Sequence, residues 1–484
     1  LVRQLITEAV VLGIAGGAMG LALAYWGTEA LIAARPADLP RLDQIGLDGT
    51  VVLFTLGAAL LTGLIFGMVP AVQATNDHLL RGLQESGRSA GGGRRAHRMR
   101  SGLVVAEMAL AVILLTGSGL LIRSFVELTR VNPGFQPEGA MAVRVSFRGT
   151  LYQTGDPVRK RIGEIEERLR ALPGVTAVAA GSVLPLGGLG ALNDFAVEGA
   201  PPPPPDVNQE IAVASATPDY FKAIGAPLRR GRLFTALDHA KAPPVAILND
   251  AAVRRWFPNQ DPIGRRVLSG AGGPREVIGV VGDVLQRNPG QPAAPQMFLP
   301  FEQRTSATAR FIVRAQGNAV ALAPAVREQI RSLDPNLPIA DVMPLNEIVS
   351  RSIARPRFYT SLLTLFAAVA LALSATGIFG VMSYTVAQQS KEIGIRMALG
   401  ARTGDVLRGV VGRALTLAGI GVAAGIVTAL ALGRLIRNQL FGVDVFDPIT
   451  LASVVAVLIG TAAVASLWPA RRAAAIDPVN TFRQ

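Results

Sequence analysis

The length of the apolar stretches constrains this chain more than any other feature. A helix rises 1.5 Å per residue, so about 20 predominantly apolar residues cross the roughly 30 Å of hydrocarbon in a bilayer. Six stretches reach or approach that length: Leu5–Ala33, Val51–Val72, Leu103–Phe125, Phe358–Tyr384, Gly409–Leu435 and Leu451–Trp468. Any one of them reads equally as a buried core helix. Six together predict an α-helical integral membrane protein. Composition agrees: half of the residues are hydrophobic and 17% are charged, against roughly 25% charged in an ordinary globular chain.

The net charge of +13 raises the question of nucleic acid. Such binding needs a basic patch interleaved with stacking aromatics. Aromatics make up only 5%, and the arginines cluster beside the apolar spans. Cationic helix flanks account for the charge, and no nucleic-acid partner is expected. Arginines also set the orientation, because basic short loops stay in the cytoplasm. Arg81, Arg88, Arg94, Arg95, Arg98 and Arg100 fall in the 75–102 loop. Lys391, Arg396, Arg402 and Arg408 fall in the 385–408 loop, and Arg471, Arg472 and Arg483 in the tail. The alternate loops hold only Arg35, Arg41 and Arg437. Both visible termini are then cytoplasmic, and residues 126–357 lie outside.

The spans repeat. Arg3 precedes a helix with Gly16 and Gly20, and Arg408 precedes one with Gly421 and Gly425 at the same spacings. Leu47-Asp48 and Phe446-Asp447 open the next helix of each copy, and Pro70-Ala71 and Pro469-Ala470 close them. Both copies cross in one direction, as in a parallel duplication. The glycine pairs suit close helix packing, although glycine is also common in membrane helices generally. The chain opens on Leu1 rather than Met, so an upstream part is expected. By symmetry it supplies one helix, an outside domain and a second helix, for eight spans in all. Residues 85–100 read as a flexible linker.

The outside segment reads as α+β with split βαβ units. Met141–Phe147 alternates like a strand, and Val175–Ala180, Pro244–Leu248, Val277–Val281 and Phe311–Val313 are further strands. Val158–Ala171 and Ala321–Leu333 read as helices, and Pro201–Pro205 as a polyproline loop. Little here suggests catalysis. There is no cysteine, His239 has no second ligand at metal spacing, and Asp194, Glu198, Asp206 and Glu210 are scattered acids. No Gly-x-Ser-x-Gly elbow occurs. None of the lysines, at 160, 222, 241 and 391, follows a glycine, so the sequence contains no P-loop. Glu8 and Glu107 sit near cytoplasmic helix ends, within snorkelling reach of water.

The most informative segment is Gln388–Ala401, QQSKEIGIRMALGA. It reads as an amphipathic element at the membrane surface. KEIGIRMALGA resembles the signature loop of the MacB/FtsX superfamily of ABC-transporter permeases. LVVAEMALAVILLTGSGLLIRSF (103–125), LTRVNPGF (128–135), YFKAIGAPLRRGRLFT (220–235), DPIGRRV (261–267), GVVGDV (279–284) and WPARRAAAIDPV (468–479) match the same family. The tandem arrangement resembles its duplicated orphan-permease branch.

The resemblance implies the following organisation. Residues 1–74 end a first FtsX-like unit, 75–102 are a basic linker, and 103–125 open the second unit. Residues 126–357 form a MacB-type periplasmic core domain, and 358–484 complete the second unit in the inner membrane. The loop would be a coupling helix for a separate ABC ATPase. Lys391, Glu392 and Arg396 would be its polar contacts, and Ile393, Met397 and Leu399 its apolar ones, with Gly394, Gly400 and Ala401 in the same element. Arg402 and Asp405 extend that surface. The equivalent loop of the first unit would lie upstream, since residue 1 aligns with Val406. The chain itself would be no enzyme and would bind no cofactor or metal, ATP being used by the partner. Lipid and a periplasmic adaptor or protein are the other implied partners. The implied activity is efflux by mechanotransmission. Two alternatives stay open: an FtsX-like regulator that activates a periplasmic partner without moving cargo, and a secondary transporter. The second is disfavoured by the lack of ionisable residues at mid-membrane.

Overall fold

The computed structural model describes residues 2–33, 48–64, 92–201, 209–270, 272–437 and 440–475. In chain order, α1 (Val2–Ala33), α2 (Gly49–Leu64) and α3 (Gly92–Arg130) come first. Then follow β1 (Ala140–Ser146), α4 (Gly155–Arg170), β2 (Val175–Gly181), β3 (Ala191–Val197), β4 (Glu210–Ala216), α5 (Tyr220–Ile224), β5 (Leu228–Gly231), β6 (Val245–Asn249), α6 (Asp250–Trp256), β7 (Arg266–Ser269), β8 (Pro274–Val281), β9 (Gln296–Pro300), β10 (Thr308–Ala315), α7 (Ala323–Leu333), β11 (Ile339–Pro344) and α8 (Leu345–Ser352). The chain closes with α9 (Ala354–Gln388), α10 (Ser390–Ala398), α11 (Thr403–Ile436) and α12 (Pro448–Ala474). Leu128–Ala354 forms one compact unit, and the flanking residues form the other.

In the helical unit, α1, α3, α9, α11 and α12 are long and apolar enough to cross a membrane. A helix satisfies its own backbone polar groups, as a hydrocarbon environment requires. The sixth expected span is described only as α2, a shorter apolar helix. Residues 65–72 of that span and 75–91 of the expected linker lie outside the described residues; residues 92–102, expected to be linker, instead form the helical start of α3. Among the described residues, five of the six expected spans thus reach the length and apolarity a crossing needs.

Helix α3 is the hub of this unit. Lipid tails are as apolar as leucine, so association depends on close packing and on polar contacts. Gly421 and Gly425 of α11 lie flat on α3. A Cβ at Gly421 would sit 2.5 Å from Met108 Cβ, and one at Gly425 would sit 2.8 Å from Ala109 O. Gly119 of α3 receives Thr450 of α12, and Gly117 receives Leu363 of α9. Ser118 and Thr364 share a 3.0 Å hydrogen bond between α3 and α9. Arg123 of α3 pairs with Asp447 at the head of α12. Glu107 does not simply reach for water: its Oε2 is buried and rests on Gly377 of α9, where a Cβ would be only 2.1 Å away.

The sequence repeat returns as local structure. Asp48 Oδ1 accepts the Val51 N–H at 2.9 Å, and Asp447 Oδ2 accepts the Thr450 N–H at 2.8 Å, so each caps its helix. The glycine pairs differ. A Cβ at Gly16 or Gly20 would meet no heavy atom within 4 Å among the described residues, whereas Gly13 and Gly63 bring α1 onto α2.

The second unit is α+β, with the split βαβ arrangement expected. Strands run in the order β11-β1-β10-β2, so β10 separates β1 from β2 and β1 separates β10 from β11. The alternation in MAVRVSF reflects a sheet covered on both faces. Met141, Val143 and Val145 pack with Val158, Ile162, Ile165 and Leu169 of α4 and with Val326 and Ile330 of α7. Ala140 and Ala142 face Phe221 and Ile224 of α5 and Leu345 of α8. Each large side chain so buried is worth about 1.5–3 kcal/mol before the entropy cost of ordering it. Beyond β2, the order β4-β3-β7-β8-β6-β9 closes on itself, because β4 also pairs with β9 in parallel. Strands β3, β4, β5, β7, β9 and β11 were not anticipated from sequence. Glu198 pairs with Arg266 at 3.4 Å, and Asp206 lies outside the described residues.

Substituting Gly425→Val should lower the unfolding midpoint of the detergent-solubilised protein. Overpacking of this kind costs about 1–3 kcal/mol. Gly419→Ala, with nothing within 4 Å of the added carbon, should leave that midpoint unchanged or raise it.

Candidate functional site

The 385–408 loop is almost wholly helical. Helix α9 runs to Gln388, α10 occupies Ser390–Ala398, and α11 starts at Thr403. The glycine in MALGA supplies the stop. Gly400 adopts φ +95°, a left-handed conformation that an L side chain resists. Its N–H donates to Met397 O at 3.1 Å, and the Ala401 N–H donates to Arg396 O at 3.0 Å. This pair of bonds is the Schellman closure, which satisfies the last carbonyls of a helix. The Arg402 N–H then donates to Asp405 Oδ2 at 3.3 Å, which opens α11.

Helix α10 has two faces. Ile393 is 8% exposed and packs with Val386 at the end of α9 and Ala473 at the end of α12, with Met397, Val406 and Val410 around them. Gly394 is buried on the same side. The other face carries Leu399, 82% exposed, and Ile395, 48% exposed. Glu392 and Arg396 form an exposed i,i+4 ion pair. Such pairs contribute only about 0.3–0.5 kcal/mol, so burial of Ile393, rather than this pair, seats the helix. Only the backbone of Lys391 is described.

The nine residues singled out from sequence therefore have different positions. Ile393, Gly394 and Met397 turn toward the bundle. Glu392, Arg396, Leu399 and Gly400 are exposed, and Ala401 is half-buried at the turn. Ile395, not singled out, joins Leu399 outside. Its position two residues from Ile393 puts it on the opposite side of a 3.6-residue turn, which was the available signal. A cleft of about 370 Å³ opens beside α10, walled by Met382, Glu392, Arg396, Asp405 and Arg413. No cluster of three or more histidine, cysteine or acidic side chains suited to a metal occurs among the described residues. The arrangement offers a rigid handle with an apolar, partly charged outer surface.

Residues 101–333 match the MacB-like periplasmic core domain, and residues 364–478 match the FtsX-like permease C-terminal domain. A macrolide export ATP-binding/permease protein MacB of Sodalis glossinidius is 28% identical over 412 residues, 80% of this chain and 58% of that protein. A pyoverdine export ATP-binding/permease protein PvdT of Pseudomonas aeruginosa is 27% identical over 57% of this chain and 42% of its own length. A MacB of Nitrosomonas europaea is 25% identical over 92% of this chain and 63% of its own. The chain thus spans between 42% and 63% of these relatives. The crystal structure of the periplasmic region of MacB from Actinobacillus actinomycetemcomitans aligns with 44% of this chain and 94% of that one, at 18% identity and a TM-score of 0.30. With these two domain matches and its bundle of apolar helices, the chain is a multi-pass inner-membrane protein belonging to the MacB/FtsX superfamily of ABC-transporter permeases.

Proposed function

We propose that this chain is the permease part of an ABC exporter, coupling an ATPase outside this sequence to movement of a periplasmic domain. One observation carries the reading: α10 is anchored through Ile393 while Ile395 and Leu399 stay exposed on its other side. Exposed apolar residues on a seated helix cost free energy unless a partner covers them. An ATPase that closes on that face pushes α10 as a rigid piece. Contact through Val386 and Ala473 passes the displacement to α9 and α12. Lys391, Glu392 and Arg396 supply charge at the rim of the contact. Gly400 and Ala401 fix the turn into α11, so that helix moves with α10.

The arginine-rich 75–102 and 385–408 loops support a cytoplasmic α10, with residues 126–357 in the periplasm. The curated relatives are named as exporters of macrolides and of pyoverdine, and export of a small molecule by this chain is consistent with them. The internal repeat supports the duplicated orphan-permease arrangement, in which residues 1–74 end a first FtsX-like unit. ATP would be bound by the partner alone.

Co-purification tests the partner: an ABC ATPase should accompany the intact protein, and Leu399→Asp should abolish that capture without lowering the unfolding midpoint. Capture undiminished by Leu399→Asp together with Ile395→Asp would remove α10 from the interface. Ile393→Asp should instead release the helix, seen as faster amide exchange across residues 390–398, a region that Leu399→Asp leaves protected. Gly394→Pro should abolish transport-coupled ATP hydrolysis, because proline breaks a helix interior at a cost of about 3 kcal/mol. The chain has no cysteine, so single cysteines introduced at Ser390 and at the exposed Leu237 report orientation directly. An impermeant thiol reagent added outside intact spheroplasts should label the second and spare the first.

A further inference from the structure

The periplasmic-type unit contains a cavity of about 230 Å³ between α4, the loop after β4, the loop after β5 and the end of β9. Its walls are largely apolar: Ile162, Phe234 and Phe301 are each buried. Five charged or titratable side chains also line it: Arg159, Glu166, Asp238, His239 and Glu302. Their commitments differ. Both Asp238 oxygens are held by Arg232, at 2.8 Å each, and the Thr235 N–H adds a third donor at 2.8 Å. Arg159 is bonded to Asp156 and lies 3.7 Å from the Glu302 carboxylate. Glu166 is held much less fully. Its Oε1 accepts the Thr217 hydroxyl at 2.7 Å, and its Oε2 is 4.0 Å from Arg170. A carboxylate offers about four acceptor positions. The Thr217 hydroxyl is oriented for this contact, since its own oxygen accepts the Ala180 N–H at 2.8 Å.

We propose that this cavity is a binding site for an organic ammonium group, held by the Glu166 carboxylate between apolar walls formed by Ile162, Phe234 and Phe301. A carboxylate with spare acceptor positions, set among apolar side chains, is matched by a cationic N–H donor bearing a hydrocarbon body. A neutral alcohol satisfies the walls and not the charge. An anion meets three acidic side chains and one arginine already engaged. The cavity falls below the roughly 300–1,000 Å³ of pockets for drug-sized ligands, so it takes a small amine or the amine-bearing end of a larger molecule. The site does not depend on the ATPase reading, since binding is measured on this chain alone.

Burial also sets the charge of this carboxyl. It pushes the Glu166 carboxyl up to about 7, against the lowering effect of Thr217, Arg170 and the Ala180 N–H, with Asp219 adding to the rise. The carboxyl is therefore largely neutral in mildly acidic solution and ionised above neutrality. A ligand cation favours the ionised form. Its binding releases a proton at low pH, and its affinity rises as pH increases through about 7 and then levels off.

The test uses the full chain in lipid nanodiscs, with cyclohexylammonium as the probe and cyclohexanol and cyclohexanecarboxylate as comparators, followed by calorimetry or ligand-observed NMR. The ammonium probe should bind about tenfold or more tightly at about pH 8 than at about pH 5.5, and the neutral alcohol should show no such change. Glu166→Gln, which retains an acceptor for Thr217, should abolish both the preference for the cation and its pH dependence. His239→Asn should keep both, which separates the carboxyl from the imidazole that also lines the cavity. Equal binding of alcohol and ammonium, preference for the carboxylate, or a flat pH profile in the unmodified protein would each overturn the proposal. The last comparison needs no variant to fold. Loss of the pH dependence in His239→Asn but not in Glu166→Gln would overturn it too.

Discussion

The helical unit depends on how closely two backbones can approach. Apolar side chains gain little by leaving lipid for one another, so a membrane bundle is held by contact distance and by a few polar links. Gly421 and Gly425 give α11 a flat strip on which Met108, Ala109 and Val112 of α3 rest. The same helix α3 presents Gly117 and Gly119 to α9 and α12. It thus meets α9, α11 and α12 through glycine. The Arg123–Asp447 pair joins α3 to the capped start of α12. These contacts are backbone-close, so little flexible side chain lies between α3 and its neighbours.

The ends of the bundle helices also hold α10. A nine-residue helix is too short to be stable alone. It persists because the Schellman turn at Gly400 closes its end and because Ile393 is buried against the ends of α9 and α12. Leu399 stays exposed at its far end, while Ile393 is held in the bundle.

The α+β unit is organised differently. In water, apolar burial drives folding, and its sheet is covered on both faces around β1, β10 and β2. Polar groups inside it are nearly all engaged: Tyr220 donates to Val183 O at 2.9 Å and Arg314 donates to three backbone carbonyls. Against that background, the lightly held carboxyl of Glu166 in an apolar cavity stands out chemically, because an incompletely matched buried charge is costly.

The sequence alone determined the class of the molecule. Span length, the arginines of the short loops and the duplicated Asp48 and Asp447 caps are local signals, readable because each depends on neighbours a few residues away. MAVRVSF was legible as a strand for the same reason. The count of spans was less secure, since the stretch from Val51 is described only as far as Leu64. Tertiary structure decided the rest. Nothing local separates Gly421 and Gly425, where an added Cβ would press on α3, from Gly16 and Gly20 at identical spacing, where it would meet no described heavy atom within 4 Å; only the packed neighbours differ. Likewise, only the ends of α9 and α12 select Ile393 as the buried anchor and leave Ile395 and Leu399 outside. The closed strand circuit, and the meeting of Glu166 with Phe234 and Phe301, join segments far apart in the chain. Such long-range pairing leaves no periodicity in any one segment, so it becomes visible only when the chain has folded.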